Sequence, residues 1–377
     1  MNRLISYVHS VDITSMSPSV NFVFYNALSI AEKGQEINLY VRSGSSQPIR
    51  PYLEDRFNTI IPENLKIRTF KRQKFSIFFY LFCILNLSRN KSQQLIITRT
   101  LGFLPYLVTL KKSNWKVYFE THDFYTDLKV RTDLNSNRLA RKQKLEKLFL
   151  KKLDGIICLS NVQKQVFRKY YPHQSINVFH TGLIIRDKKK PTIDQKYLVY
   201  VGSLDALKGI SNIFKLSEYL DESIKIKIIG GKSKAEIAKV ESQITQKRLD
   251  NKLEITGWLD KKELHHLLQN AQAGLLPLMD NFFNRYLTVP LKLLDYYSFN
   301  LPVFATKLPS LEEFIENANT GLFVDWEKPE QAAREIESFL GNQDKMENAR
   351  RELKDVALSL SWETRAQKQI DLLEEIF

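Results

Sequence analysis

The stretch LISYVHSVDITSMSPSVNFVFYNALSIAEKG, residues 4–34, decides the fold class. Leu4 to Val8 is an apolar run of strand length. After a polar loop, Ser17-Pro18 supplies a helix N-cap and a proline suited to the first helical position. Val20, Val23, Phe24, Ala27, Leu28 and Ala31 then recur at helical spacing until Gly34 offers a left-handed stop. A strand, a turn and an amphipathic helix in that order make the opening half of a βαβ unit.

Outward from this unit the pattern repeats. Ile37 to Val41, Leu95 to Thr98, Val117 to Glu120 and Gly155 to Leu159 are further short buried-strand candidates with helical stretches between them. Such alternation predicts a parallel sheet with helices on both faces. Around Arg186 to Pro191 the chain turns charged and turn-prone, which marks a linker. A second series follows at Tyr197 to Val201, Ile224 to Ile229, Leu253 to Thr256, Ala273 to Pro277, Pro302 to Ala305 and Gly321 to Val324. The expectation is an α/β chain of two doubly wound domains, 1–185 and 190–360, each binding its ligand outside the carboxyl ends of its strands. A length of 377 residues suits two such domains.

Composition narrows the function classes. With 43% hydrophobic and 26% charged residues the chain reads as globular throughout. Cys83 and Cys158 sit in apolar surroundings, which leaves neither a disulfide framework nor a thiolate metal cluster and fits a reducing cytoplasm. Met1 to His9 lacks the pattern of an export signal. The longest apolar run, Phe75 to Leu87, is too short to span a bilayer. It is expected to be a buried helix, and its flank of Lys71, Arg72 and Lys74 keeps a membrane-contacting face as the alternative. The net charge of +14 is lodged in the first half: residues 1–185 hold 28 Lys+Arg against 12 Asp+Glu, the remainder 28 against 30. Such a field favours an anionic membrane surface, a phosphorylated acceptor or nucleic acid.

Neither half carries G-x-G-x-x-G after its first strand, and G-x-x-x-x-G-K-[ST] is absent, so the dinucleotide and ATP fingerprints are missing. What the second half carries is a series: Tyr200-Val201-Gly202-Ser203-Leu204-Asp205-Ala206-Leu207-Lys208-Gly209, then Ile229-Gly230-Gly231, Thr256-Gly257-Trp258-Leu259, Leu275-Leu276-Pro277-Leu278, and Pro290-Leu291-Lys292-Leu293-Leu294-Asp295-Tyr296-Tyr297 with Pro302-Val303. In order and spacing this resembles the donor lobe of the family 4 retaining glycosyltransferases. The resemblance implies the GT-B fold, two Rossmann-like domains facing across a cleft, with Ser361-Trp362-Glu363 opening a C-terminal helix that crosses back to the first domain.

The resemblance also implies roles. Lys208 meets the donor diphosphate, where a cation stabilises charge growing on the leaving group, and Lys292 adds a second. The helix opening at Thr288-Val289 aims its first amides at the same phosphates. Asp295 stands where the family has a ribose-binding acid, usually Glu, and Trp258-Leu259 fall on the turn that reads the base. Each has a bland alternative: a solvated Lys208, a capped or solvated Asp295, a Trp258 that plugs the core. In the first half, Glu120-Thr121-His122-Asp123 places His122 at the donor sugar and the reacting carbon, or leaves it a satisfied loop histidine. Arg99 and Ser17 are acceptor-side candidates with His122, and Ser160 and Gly182 match further cleft positions.

Two departures stand out. Ser203 replaces the family's usual arginine, and Leu287 falls where an acid normally precedes the ribose acid by eight residues, as in a subset with a Pro-x-Lys segment. There is no DxD motif, metal-ligand spacing or recognisable Ser/His/Asp array, so no cofactor and no metal are expected beside a nucleoside-diphosphate sugar and a saccharide or lipid-linked acceptor. The expected location is cytoplasmic, with peripheral attachment to the inner membrane face left open, and nucleic acid is not expected as a partner because no binding motif accompanies the charge. The expected function is retaining, metal-independent sugar transfer in bacterial surface polysaccharide or glycan assembly. The alternatives are a nucleotide-sugar epimerase on the same plan, a non-catalytic relative or a nucleic-acid-binding protein.

Overall fold

A computed structural model describes residues 3–71, 75–131, 133–134, 139–186, 197–204, 209–231 and 233–377. The chain forms two compact units, Met1–Gly182 with Trp362–Phe377, and Leu183–Ser361.

Unit 1 holds β1 (Arg3–Asp12), β2 (Ile37–Ser43), β3 (Leu65–Lys71), β4 (Gln93–Thr98), β5 (Trp115–Glu120), β6 (Gly155–Cys158) and β7 (Ser175–Val178). They form one parallel sheet in the order β3-β2-β1-β4-β5-β6-β7. Between them run α1 (Pro18–Glu32), α2 (Ile49–Phe57), α3 (Ser76–Arg89), α4 (Leu104–Thr109), α5 (Ala140–Phe149) and α6 (Asn161–Tyr170). α1 begins where the sequence places it. Ser17 Oγ accepts from the Ser19 N–H at 3.3 Å, Pro18 occupies the first helical position, and Gly34 takes φ +85° past the end.

Unit 2 holds β8 (Tyr197–Val201), β9 (Lys225–Ile229), β10 (Leu253–Gly257), β11 (Ala273–Leu276), β12 (Val303–Ala305) and β13 (Gly321–Phe323), parallel in the order β10-β9-β8-β11-β12-β13. Its helices are α7 (Ile210–Ser217), α8 (Lys234–Gln246), α9 (Lys261–Asn270), α10 (Phe282–Tyr286), α11 (Leu291–Ser298), α12 (Pro309–Glu312), α13 (Pro329–Gly341) and α14 (Gln343–Ser359). The linker read at Arg186–Pro191 lies, beyond Arg186, outside the described residues.

The last helix, α15 (Trp362–Ile376), belongs to unit 1. Ala366, Leu372 and Leu373 join the core of Ile5, Tyr7, Val23, Ala27, Leu39 and Ile97. Its first residue, Trp362, meets Phe22 of α1 edge to face at 5.4 Å. Gly182 lies so close to that indole that a Cβ would fall 2.2 Å from it.

One expectation is corrected. The run Phe75 to Leu87 is helical, as α3, but it is not buried all round. Phe79, Cys83, Ile84 and Leu87 face the core, while Phe75, Ile77, Phe78, Leu81 and Leu85 are exposed. A helix laid on one sheet face can bury only one stripe, and here the outer stripe is apolar as well. Among the described residues no helix is long and apolar enough to cross a membrane.

Candidate functional site

In each sheet the strand order reverses at one place, and the crevice there opens at the carboxyl ends of the strands. In unit 1 the reversal lies between β1 and β4. His9, near the end of β1, and Arg99, just past β4, flank it, and His122 follows β5 next door. The His9 ring is fixed by the Val11 N–H, which donates to Nδ1 at 3.0 Å. The Arg99 guanidinium lies over the Phe22 ring with Cζ 4.1 Å from its centroid, and its buried Nε has no hydrogen-bond partner among the described residues.

This cation acts on both imidazoles. Burial, then Arg99 and His122, push His9 down to about 3. His122 is solvent-accessible, yet the low-dielectric protein around its turn, and next Arg99, bring it to about 4. Both rings are therefore neutral near pH 7, and Arg99 carries the positive charge of the cluster. Sequence reasoning picked out Arg99 and His122, and the structure brings them together. His9 was missed, because a histidine inside an apolar strand reads as core.

Glu120 is fully buried and accepts from Arg365 Nη2 at 2.6 Å and from Tyr7 Oη at 2.5 Å. The turn beyond it is held by two buried side chains. Arg131, buried, pairs with Asp123 and Asp133 and donates to the Phe124 carbonyl at 2.8 Å. Glu146 of α5 accepts from the Tyr125 N–H at 2.6 Å and from Thr126 Oγ1 at 2.8 Å. His122 thus projects from a rigid support, as a positioned hydrogen-bonding group requires. Ser17 and Ser160 cap α1 and α6, and each hydroxyl accepts a first-turn N–H. Beside β1, β2 and β3 lies an open polar depression of about 700 Å³ lined by Asp12, Thr14, Gly44, Ser45, Ser46 and Lys71, residues that carried no motif.

In unit 2 the reversal lies between β8 and β11. The edge there is bare backbone. Gly230, at φ +155°, follows β9, and a Cβ on it would fall 1.8 Å from the Gly202 carbonyl oxygen. Gly209, at φ +79°, heads α7 with its Cβ position 1.7 Å from the Pro277 carbonyl oxygen. Only glycine permits either approach. Gly202 and Gly230 donate their own N–H groups to the Ile229 and Gly257 carbonyls at 2.9 and 3.0 Å, so what the shelf offers a bulky anion is close approach to the main chain with no side chain in the way.

Lys292, in the first turn of α11, reaches this shelf. Its Nζ lies 4.2 Å from the centroid of the Tyr200 ring and 3.6 Å from the Cβ position of Gly202. Tyr200 in turn donates to the Ser203 carbonyl at 2.8 Å. α11 opens at Leu291 with Pro290 as its N-cap, two residues later than Val289, and Thr288 donates its N–H to the Phe283 carbonyl at 3.0 Å. Val289 is packed inward. Asp295, one turn after Lys292, is half-buried, and burial raises its carboxyl to about 6 against the opposing pull of Arg186. Trp258, beyond β10, is 80% exposed, so the core-plug alternative falls away. Leu259 beside it is half-buried. Lys208, with Asp205 to Leu207, lies outside the described residues.

A glycine shelf with a lysine at the switch point of a doubly wound sheet is the setting in which the comparisons fall. Residues 184–356, nearly all of unit 2, match the family described as glycosyl transferases group 1. No curated protein matches the chain in sequence. Among solved structures, the pneumococcal O-GlcNAc transferase GtfA in complex with UDP and GlcNAc is similar at a TM-score of 0.73 and 12% identity, over 99% of each chain. A glycosyltransferase from Rickettsia africae gives 0.71 and 17%, over 99% of this chain and 98% of that one. Anabaena HepE in complex with UDP and glucose gives 0.70 and 12%, over 99% of each. These likenesses extend over both units and show the GT-B fold.

Proposed function

We propose that the protein is a retaining glycosyltransferase that moves a sugar from a nucleoside-diphosphate donor, held by unit 2, to a saccharide or lipid-linked acceptor. The reading is carried by the glycine shelf of Gly202, Gly230 and Gly209 with the Lys292 ammonium beside it, inside the segment that matches group 1 glycosyl transferases. Several of the similar structures hold UDP or a UDP-sugar, which supports a nucleotide-sugar donor here.

The chemistry is positioning and electrostatics, without a metal. The bond from the anomeric carbon to the phosphate oxygen breaks, Lys208, Lys292 and the first amides of α11 stabilise the departing diphosphate, and the acceptor oxygen bonds to the same face of the sugar. The acceptor's proton goes to the departing phosphate oxygen. Asp295 accepts hydrogen bonds from the ribose, Trp258 and Leu259 contact the base, and Ser203 leaves the phosphates one cation short of the family's usual set. Neutral His122 hydrogen-bonds a hydroxyl of the donor sugar. Arg99, whose charge meets no ion-pair partner among the described residues, attracts an anionic group of the acceptor, with Ser17 heading α1, the helix whose Phe22 ring carries the guanidinium. Assembly of bacterial surface glycans on the inner face of the membrane is the setting that fits such an acceptor.

Incubation with UDP-, GDP-, ADP- and TDP-sugars, with saccharide and lipid-linked acceptors, tests this by product NMR. The expected product keeps the donor's anomeric configuration. An inverted product contradicts the mechanism, and donor consumed without any acceptor points to an epimerase.

A further inference from the structure

The outer stripe of α3 has no role in the proposed reaction. Phe78, Leu81 and Leu85 recur at i, i+3 and i+7 and are 49%, 43% and 58% exposed, with Phe75 and Ile77 exposed at the N-terminal end. That spacing makes one continuous apolar strip along the helix, opposite the stripe that packs on the sheet. Scattered exposed leucines need no account, but five large apolar side chains in one strip do.

The surroundings say what covers it. From residue 64 to residue 119 the chain has no Asp or Glu and eleven Lys or Arg. The strip ends on exposed Arg89 and Lys91. α3 packs beside α4 and α4 beside α5, so the three helices lie side by side on one face of the sheet. α5 and the turn after it present Arg141, Lys144, Lys147, Lys151 and Lys152 to solvent, and the charge of Arg141 reaches the Tyr80 hydroxyl of α3. The single acid of α5, Glu146, points inward and is buried. Asp154 nearby is paired with Lys111.

An apolar strip bordered by cations and free of exposed acids matches an anionic lipid surface: the strip enters the acyl boundary while the lysines and arginines stay among the headgroups. A second copy seated on this face would oppose like charges. We infer that unit 1 docks on anionic membranes through α3, lying in the membrane plane, with the cations of α5 as its electrostatic half. The inference rests on this surface alone and holds whatever reaction the protein performs.

Vesicle co-sedimentation of the full chain tests it, using phosphatidylcholine with and without phosphatidylglycerol. The expected result is binding to the mixed vesicles that weakens with added salt and is much weaker on phosphatidylcholine alone. A triple variant Phe78→Ser, Leu81→Ser, Leu85→Ser and a second, Arg141→Gln, Lys144→Gln, Lys147→Gln, should each bind about tenfold or more weakly. All six positions are exposed, so circular dichroism and the thermal midpoint should match the parent. Absence of parent binding at low salt overturns the inference, as does undiminished binding by the triple serine variant. A parent dimer that those serines dissociate in size-exclusion light scattering would assign the face to self-association instead.

Discussion

Arg365 of α15 donates to Glu120 at the end of β5 at 2.6 Å, with both side chains almost sealed from solvent. The pair does not stand alone. Arg365 Nε donates to Asn26 Oδ1 of α1 at 2.7 Å, its Nη1 donates to the Phe179 and His180 carbonyls, and Gln369 Nε2 donates to Asn26 Oδ1 at 2.9 Å. One cation therefore ties the C-terminal helix to the strand that ends one residue before Thr121-His122. Arg365→Met strands a buried carboxylate, and about 3–5 kcal/mol of unit 1 stability should be lost in urea unfolding. The Glu120→Gln, Arg365→Met double variant should lose less than the two single changes added together. Parent-like unfolding of Arg365→Met would show that the pair does not hold the helix.

Glu146 gives unit 1 a pH dependence of known sign. Burial, with a lesser push from nearby Asp123, raises its carboxyl from 4.5 to about 7 despite the hydrogen bonds from Thr126 and Tyr125. A raised folded-state value means stability that is full below the unfolded value and lost as pH rises through about 7. Chemical denaturation at pH 5 and pH 8 should show the parent losing on the order of 3 kcal/mol more than Glu146→Gln over that interval. Parallel profiles for the two proteins would contradict the burial argument.

His9 and His122 run the other way. Their folded values lie below the ordinary 6.5, at about 3 and about 4, so each withdraws stability as pH falls below 6.5. By NMR both rings should stay neutral down to about pH 5. Arg99→Met should raise both values, since Arg99 lowers each, and unmoved titrations would separate Arg99 from the cluster.

In the proposed reaction Asp295 and Trp258 meet the donor's nucleoside end. Ribose hydroxyls bond best to an ionised carboxylate, and the carboxyl titrates at about 6. Nucleoside diphosphate affinity should therefore fall as pH drops below 6, and Asp295→Asn should flatten that profile. Trp258→Ala should weaken binding roughly tenfold through lost stacking. Calorimetric titration across pH reads both, and unchanged affinity in the two variants would move the nucleoside elsewhere.

The central strands of both sheets were legible because strands buried on both faces are continuous apolar runs, as in Leu95 to Thr98 and Tyr197 to Val201. β3 and β7 were not: each lies at a sheet edge, where Lys66, Arg68 and Lys71 or a four-residue length erase the run. Arg99, His122 and Lys292 could be named from strand ends and motif spacing. The Glu120–Arg365 pair could not, because its members lie 245 residues apart and no local period links them. The apolar outer stripe of α3 was hidden for a related reason: a helix apolar on two faces reads as buried until its neighbours are placed.

The central claim is that unit 2 grips a diphosphate at the Gly202–Gly230 edge with Lys208 and Lys292. Isothermal titration with UDP, GDP, ADP and TDP tests it on the parent and on Lys208→Ala and Lys292→Ala. One of the four should bind the parent, with each alanine weakening it about tenfold or more, as loss of a charged hydrogen bond predicts. No binding by any of the four, or equal binding by parent and both variants, would contradict the account.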